Sequence, residues 1–120
     1  MPLFFVWAPD YTDPDAPRRR GAAARAHLRD MRENIIDKEL DDYGGVTTSR
    51  ATSLSSKKAA EQQLVDGTIV VLRAENIEQV RELLERDLFW TQGVWDKERV
   101  VIKPFIRTTA ARNTSDKPRL

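Results

Sequence analysis

Residues 67–84 read Gly67-Thr68-Ile69-Val70-Val71-Leu72-Arg73-Ala74-Glu75-Asn76-Ile77-Glu78-Gln79-Val80-Arg81-Glu82-Leu83-Leu84, and the hydrophobic period changes in the middle of this stretch. Thr68 to Val71 are all β-branched and Leu72 continues the apolar run, the pattern of a strand covered on both faces. Beyond Arg73, the apolar residues Ile77, Val80, Leu83 and Leu84 fall at helical spacing. They follow Asn76, which with Gln79 resembles a capping box. Glu82 and Arg86 add an i,i+4 pair. A central strand leading into an amphipathic helix is part of a split β-α-β unit, so the rest of the chain decides whether a second unit exists.

Upstream, Leu3-Phe4-Phe5-Val6-Trp7-Ala8 is a continuous apolar, aromatic-rich run that Pro9-Asp10 ends, as expected of another central strand. Asp10 to Pro17 reads as a loop entering a helix whose first turn tolerates Pro17. Residues 18–40 are rich in Ala, Arg, Glu and Leu. Leu28, Met31, Ile35, Ile36 and Leu40 at helical spacing predict one long helix, stopped by Tyr43-Gly44-Gly45. Val46-Thr47-Thr48-Ser49 is the expected second strand, and the polar residues 50–66 predict a surface excursion with about two helical turns. Downstream, Val100-Val101-Ile102-Lys103-Pro104-Phe105 is a fourth strand in which Lys103 and Pro104 suit a sheet edge.

The order βαββαβ, with right-handed crossovers, predicts an α+β ferredoxin-like sandwich: a four-stranded antiparallel sheet carrying two helices on one face. The opposite face is left open, and pairing with a second copy is the expected way to cover it, so a homodimer is predicted. At 120 residues the chain suits one domain, here residues 1–106. Residues 107–120 form a basic tail with Arg107, Arg112, Lys117 and Arg119 against Asp116 and almost no apolar side chains, predicted to be flexible.

Composition narrows the function. The formal charge of +1 argues against a polyanion-binding module, and strand three carries no aromatic platform of the kind an RNA-recognition motif uses, so no nucleic-acid partner is expected. With no cysteine and one histidine, thiol chemistry and a poly-imidazole metal site within one chain are excluded. The scattered carboxylates give no metal-ligand spacing, and nothing specifies a haem on His27, so neither metal nor cofactor is expected. The apolar run 3–8 is too short for a membrane span and lacks the form of a secretory signal. The expected place is therefore the cytoplasm, and Asn113-Thr114-Ser115 reads as a chance glycosylation match. Pro118-Arg119-Leu120 has a distant likeness to the peroxisomal address Ser-Lys-Leu, which keeps that compartment as an alternative.

Several fragments in order resemble the YCII-related family, small proteins of the dimeric α+β barrel group. Trp7-Ala8-Pro9-Asp10 is similar to the family's aromatic-Ala-x-Asp ending of strand one. Ala26-His27-Leu28 resembles its histidine motif, and Arg20 matches a recurrent arginine. Asp87-Leu88-Phe89 stands where the family has Asp-Pro-Tyr. Gly93-Val94-Trp95-Asp96 replaces Gly-Val-Tyr-Glu, and Val101 to Phe105 matches the last strand. Leu88 and Phe89 depart from the family pattern, as does Ala24 where an arginine is common, so substrate contacts are expected to differ. The resemblance implies a dimeric barrel and a small-molecule pocket centred on His27 and Asp87.

Histidine is the side-chain type whose ordinary pKa lies near neutrality, so His27 is the candidate general acid or base, with Asp87 orienting it. The plain alternative is a polar helix residue bonded to Asp30, with Asp87 merely ending its helix. Arg18-Arg19-Arg20 opposes the helix dipole and reads as a solvated basic turn. The functional alternative has Arg20 binding a carboxylate or enolate of the substrate. Asp10, Phe89, Trp90 and Trp95 complete the expected substrate contacts, although aromatics in such places are often core. The leading expectation is a small cofactor-free lyase or isomerase, and the alternative is a non-catalytic small-molecule binder.

Overall fold

The structure, a computed structural model, describes residues 1–109. In chain order the elements are β1 (Leu3–Pro9), α1 (Ala16–Met31) continued by a π-helical turn (Arg32–Ile36), and β2 (Asp41–Thr48). These are followed by α2 (Ser56–Glu61), β3 (Val65–Arg73), α3 (Ile77–Arg86), the short α4 (Leu88–Thr91) and β4 (Val101–Phe105). One four-stranded sheet has the order β2-β3-β1-β4, and every neighbouring pair is antiparallel. The two strands read as central lie in the middle, and β4 with Lys103 and Pro104 is an edge.

Strand alternation divides β1 into two faces. Phe4, Val6 and Ala8 lie opposite Leu72, Val70 and Thr68 of β3, and they pack with Ala23 and Ile35 from the first helix and Val80 and Leu84 from α3. Burying each larger side chain of this set is worth about 2 kcal/mol. The other face holds Leu3, Phe5 and Trp7, with Val71 and Ile69 opposite Phe5 and Trp7. Gly67 is fitted to that face, because a Cβ there would stand 2.5 Å from the Trp7 indole.

Helix α3 carries its predicted cap. Asn76 accepts a 2.9 Å bond from the Gln79 amide, while Gln79 reaches back to the amide of Glu75 at 2.6 Å. The Glu82–Arg86 pair takes another form, because Arg86 Nε donates to the Glu82 carbonyl oxygen at 3.4 Å. The polar excursion contains α2, and Ala59 is its buried residue. It ends two residues earlier than expected, since β3 begins at Val65.

The first helix differs most from expectation. It stops at Met31, loosens into the π turn and reverses through Glu39, whose φ is 55°. Leu40 already faces the sheet, its carbonyl accepting from the Arg73 amide at 2.7 Å. Tyr43, Gly44 and Gly45 therefore lie within β2, opposite Val71, Val70 and Ile69, and do not stop the helix. Pairing with β3 supplies the backbone partners here, which outweighs local helix preference and the weak strand preference of glycine. Leu28 and Ile36 consequently stay exposed, while Ile35 is buried.

No helix among the described residues is long and apolar enough to cross a membrane. Arg107, at the start of the predicted tail, pairs with Asp42. Residues 110–120, which include the glycosylation match, the C-terminal tripeptide and most of the predicted flexible tail, lie outside the described residues.

Candidate active site

The three arginines that open α1 meet three aspartates of the preceding loop. Arg18 bonds Asp15 at 2.6 and 2.7 Å, and Arg19 grips Asp13 with two 2.7 Å bonds. Arg20 holds Asp10 through Nε at 2.7 Å and Nη2 at 2.9 Å. The run is thus neutralised in place, which answers the unfavourable helix dipole. The Arg19 guanidinium pushes the Asp13 carboxyl down to about 2. Arg18 likewise lowers Asp15, and Arg107 with Arg73 lowers Asp42.

Arg20 and Asp10 differ from the two outer pairs in burial, with side chains only 12% and 6% exposed. The fork that sequence assigned to a substrate anion is filled by Asp10. Arg20 Nη2 also donates to Thr68 Oγ1 at 3.2 Å, and its guanidinium carbon lies 4.6 Å from the centre of the Phe89 ring.

About two helical turns beyond Arg20 on the same face of α1, His27 is buried, and its Nδ1 lies 2.6 Å from Asp87 Oδ1. Asp87 leaves α3 in an extended conformation and caps α4, where the same Oδ1 accepts the Phe89 amide at 2.8 Å. Phe89 is thereby set face to face with His27, ring centroids 3.8 Å apart and planes 8° apart. Trp95 closes the cluster edge-on to both rings, at 5.8 and 5.7 Å.

The chain returns Trp95 to this position by a turn at Gly93, whose φ of +70° favours glycine. The Gly93 carbonyl is held by Arg19 Nε at 2.9 Å. Past the turn, the Tyr11 amide donates to Val94 and the Asp96 amide to Pro9, so residues 94–96 dock beside the end of β1. Trp95 Nε1 then donates to Thr68 Oγ1 at 3.3 Å.

His27, Asp87, Arg20, Asp10, Phe89 and Trp95 are thus one connected group. Trp90 stands outside it, with Lys97 Nζ 5.6 Å from the centre of its ring. Thr68 belongs to the group and was not anticipated. Its only signal was position, because an inward-facing threonine in an apolar strand needs a polar partner.

With Asp87 as a carboxylate, Nδ1–H is the donor of the His27–Asp87 bond, and in the neutral ring that tautomer carries its lone pair on Nε2. Nε2 has no hydrogen-bond partner among the described residues. No buried side-chain nitrogen or oxygen there is unsatisfied, so Nε2 has room beside it for a water or ligand atom. Asp87, Trp95 and Thr68 also line a small apolar chamber of about 20 Å³ under Val6, Ala8 and Val70. Among the described residues, no three His, Asp or Glu side chains converge as a metal site requires.

No family model matches the chain. Fusaric acid biosynthesis protein 2 of Gibberella moniliformis is 28% identical over 103 residues, covering 85% of this chain and 90% of that protein. An aspartate kinase of Fusarium oxysporum f. sp. lycopersici is 26% identical over 113 residues, 94% of this chain but only 19% of the kinase. Among solved structures, 5-chloro-2-hydroxyhydroquinone dehydrochlorinase from Burkholderia phenoliruptrix, in complex with 2,5-dihydroxybenzoquinone, superposes with a TM-score of 0.69. It is 21% identical, and the match covers 87% of this chain and 93% of that one. The α+β fold, with helices against a four-stranded antiparallel sheet, is shared with that enzyme.

Proposed function

We propose that the chain is a small cofactor-free enzyme of lyase or isomerase type, acting by proton transfer on a small cyclic or carbonyl-containing substrate. The buried His27–Asp87 pair, whose Nε2 has no hydrogen-bond partner among the described residues, carries this reading. Nε2 takes a proton from the substrate, Asp87 stabilises the imidazolium that results, and the proton passes back to product or water as the leaving group departs or the double bond moves. The dehydrochlorinase activity of the structural neighbour, the biosynthetic naming of the relatives and the motif resemblance to YCII-related proteins support this class. Residues 1–106 would form the working domain. Two copies would pair through the sheet face of Phe5, Trp7, Ile69 and Val71, as in a dimeric α+β barrel.

Chloride release from 5-chloro-2-hydroxyhydroquinone and related halogenated ring diols tests the reading. Wild type is expected to accelerate release, His27→Gln to abolish the acceleration, and Asp87→Asn to reduce it by about 10²–10⁴-fold. Acceleration that survives in His27→Gln would refute it. A second reading, a non-catalytic binder of such rings, is favoured by Phe89, which offers no hydroxyl. It predicts ring binding without turnover.

A further inference from the structure

We propose that Thr68 is a substrate-binding residue, donating its hydroxyl proton to a carbonyl or enolate oxygen on a planar ring seated in the chamber beside Asp87. The inference deepens the proton-transfer reading and rests on it for the identity of the reacting pair. Thr68 Oγ1 accepts two hydrogen bonds, from the Arg20 guanidinium at 3.2 Å and from the Trp95 indole at 3.3 Å. A hydroxyl has two acceptor sites and one donor. Both acceptor sites are filled, and the hydroxyl donates to nothing among the described residues. Accepting from a charged guanidinium polarises the O–H and strengthens it as a donor.

Thr68 lines the same chamber as Asp87, and the remaining wall is apolar, with Val6, Ala8 and Val70 on the sheet side. An apolar lining suits a ring, and the Thr68 donor at one part of the wall with Asp87, the partner of His27, at another calls for an oxygen placed away from the proton that is removed. A threonine hydroxyl also spares the ligand the competition of a buried charge, because Asp10 keeps the Arg20 fork occupied.

The way in is marked as well. A surface cleft of about 60 Å³, rimmed by Asp30, Asn34 and Arg86, shares Met31, Ile35, Leu83 and Asp87 with the inner chamber of about 20 Å³. Those four side chains are the partition between the two spaces. The chamber as it stands holds about one water, so a ring must displace part of the partition. Met31, unbranched and with three rotatable bonds, is the side chain that yields, and it sits where α1 loosens into its π turn.

Titration of methyl-labelled protein with phenol, catechol and 2,5-dihydroxybenzoquinone, followed by nuclear magnetic resonance, tests this. Saturable shifts of the Thr68, Met31 and Leu83 methyl groups are expected for at least one ring. Thr68→Val should weaken that ring about tenfold, the effect of losing one charge-assisted bond, and Thr68→Ser should restore it. Overlay of the unliganded Thr68→Ser spectrum on wild type guards against misfolding. No saturable shift in wild type, equal binding by Thr68→Val, or weak binding by Thr68→Ser as well would each overturn the proposal. His27→Gln should leave binding intact while stopping turnover, so a failure of the proton-transfer reading is separable from a failure here.

Discussion

His27 and Phe89 stack at 3.8 Å with planes 8° apart, and the residue that sets both in place is Asp87, through Nδ1 of one and the amide of the other. A single carboxylate oxygen thus couples the catalytic candidate to the start of α4. Replacing Phe89, which is 2% exposed, by Leu removes the stacked face and leaves a void. The expected loss is about 2 kcal/mol in urea denaturation, from cavity formation and lost aromatic contact. His27 ring resonances should broaden as the imidazole gains freedom.

Asp87 performs two separable tasks. Asp87→Asn keeps an oxygen to cap α4 but weakens the bond to His27, whereas Asp87→Ala loses both. The alanine variant should therefore be less stable than the asparagine variant by about 1 kcal/mol, the usual worth of an N-cap. Equal stabilities would show that the cap contributes nothing.

Arg20 and Asp10 form a buried ion pair, so removing one partner strands a charge. Arg20→Met alone should cost about 3–5 kcal/mol, and adding Asp10→Leu should recover a large part of that. Additive losses in a double-mutant cycle would mean that the two charges are not coupled.

The elements that were legible before the structure are those whose evidence is local. β1, β3 and α3 announce themselves by periodicity, and the Asn76 cap by spacing. β2 does not, because Asp41 to Gly45 are extended only by pairing with Val71, Val70 and Ile69 of β3. His27 and Asp87 are sixty residues apart and were joined by motif resemblance, while no spacing rule connects them. Thr68 was hidden for the same reason. Its partners Arg20 and Trp95 are 48 and 27 residues away, so its polar role exists only in the assembled fold.

The dimer proposed above rests on the sheet face opposite the helices, where Phe5, Trp7 and Ile69 are half-buried in the single chain. Ile69→Glu puts a charge at its centre, opposite Trp7, where burial against another copy would be prohibitive. Light scattering at micromolar concentration should give twice the chain mass for wild type and the single mass for the variant. A monomeric wild type would refute the pairing.

The outer arginine–aspartate pairs predict an acid-sensitive entry to α1. Asp13 titrates at about 2 in the fold, against an ordinary 3.8, because its charged form is held by Arg19. A group depressed in this way binds fewer protons folded than unfolded. Its contribution is complete above the ordinary value and is lost as pH falls through the folded one, so the sensitive window runs from about 4 down to about 2. Asp15, lowered by Arg18, adds to the same trend with the same sign. The Asp13–Arg19 pair is exposed enough for solvent to screen much of its strength, so the effect is small and should shrink further in salt. Asp13→Asn removes the titrating group, and Arg19 then keeps only Gly93 and a 3.7 Å approach to Asp15. Stability measured by urea melts at intervals across that window should fall less steeply with acid in Asp13→Asn than in wild type. Parallel slopes would show that the pair is equally formed in the unfolded chain or absent in the folded one.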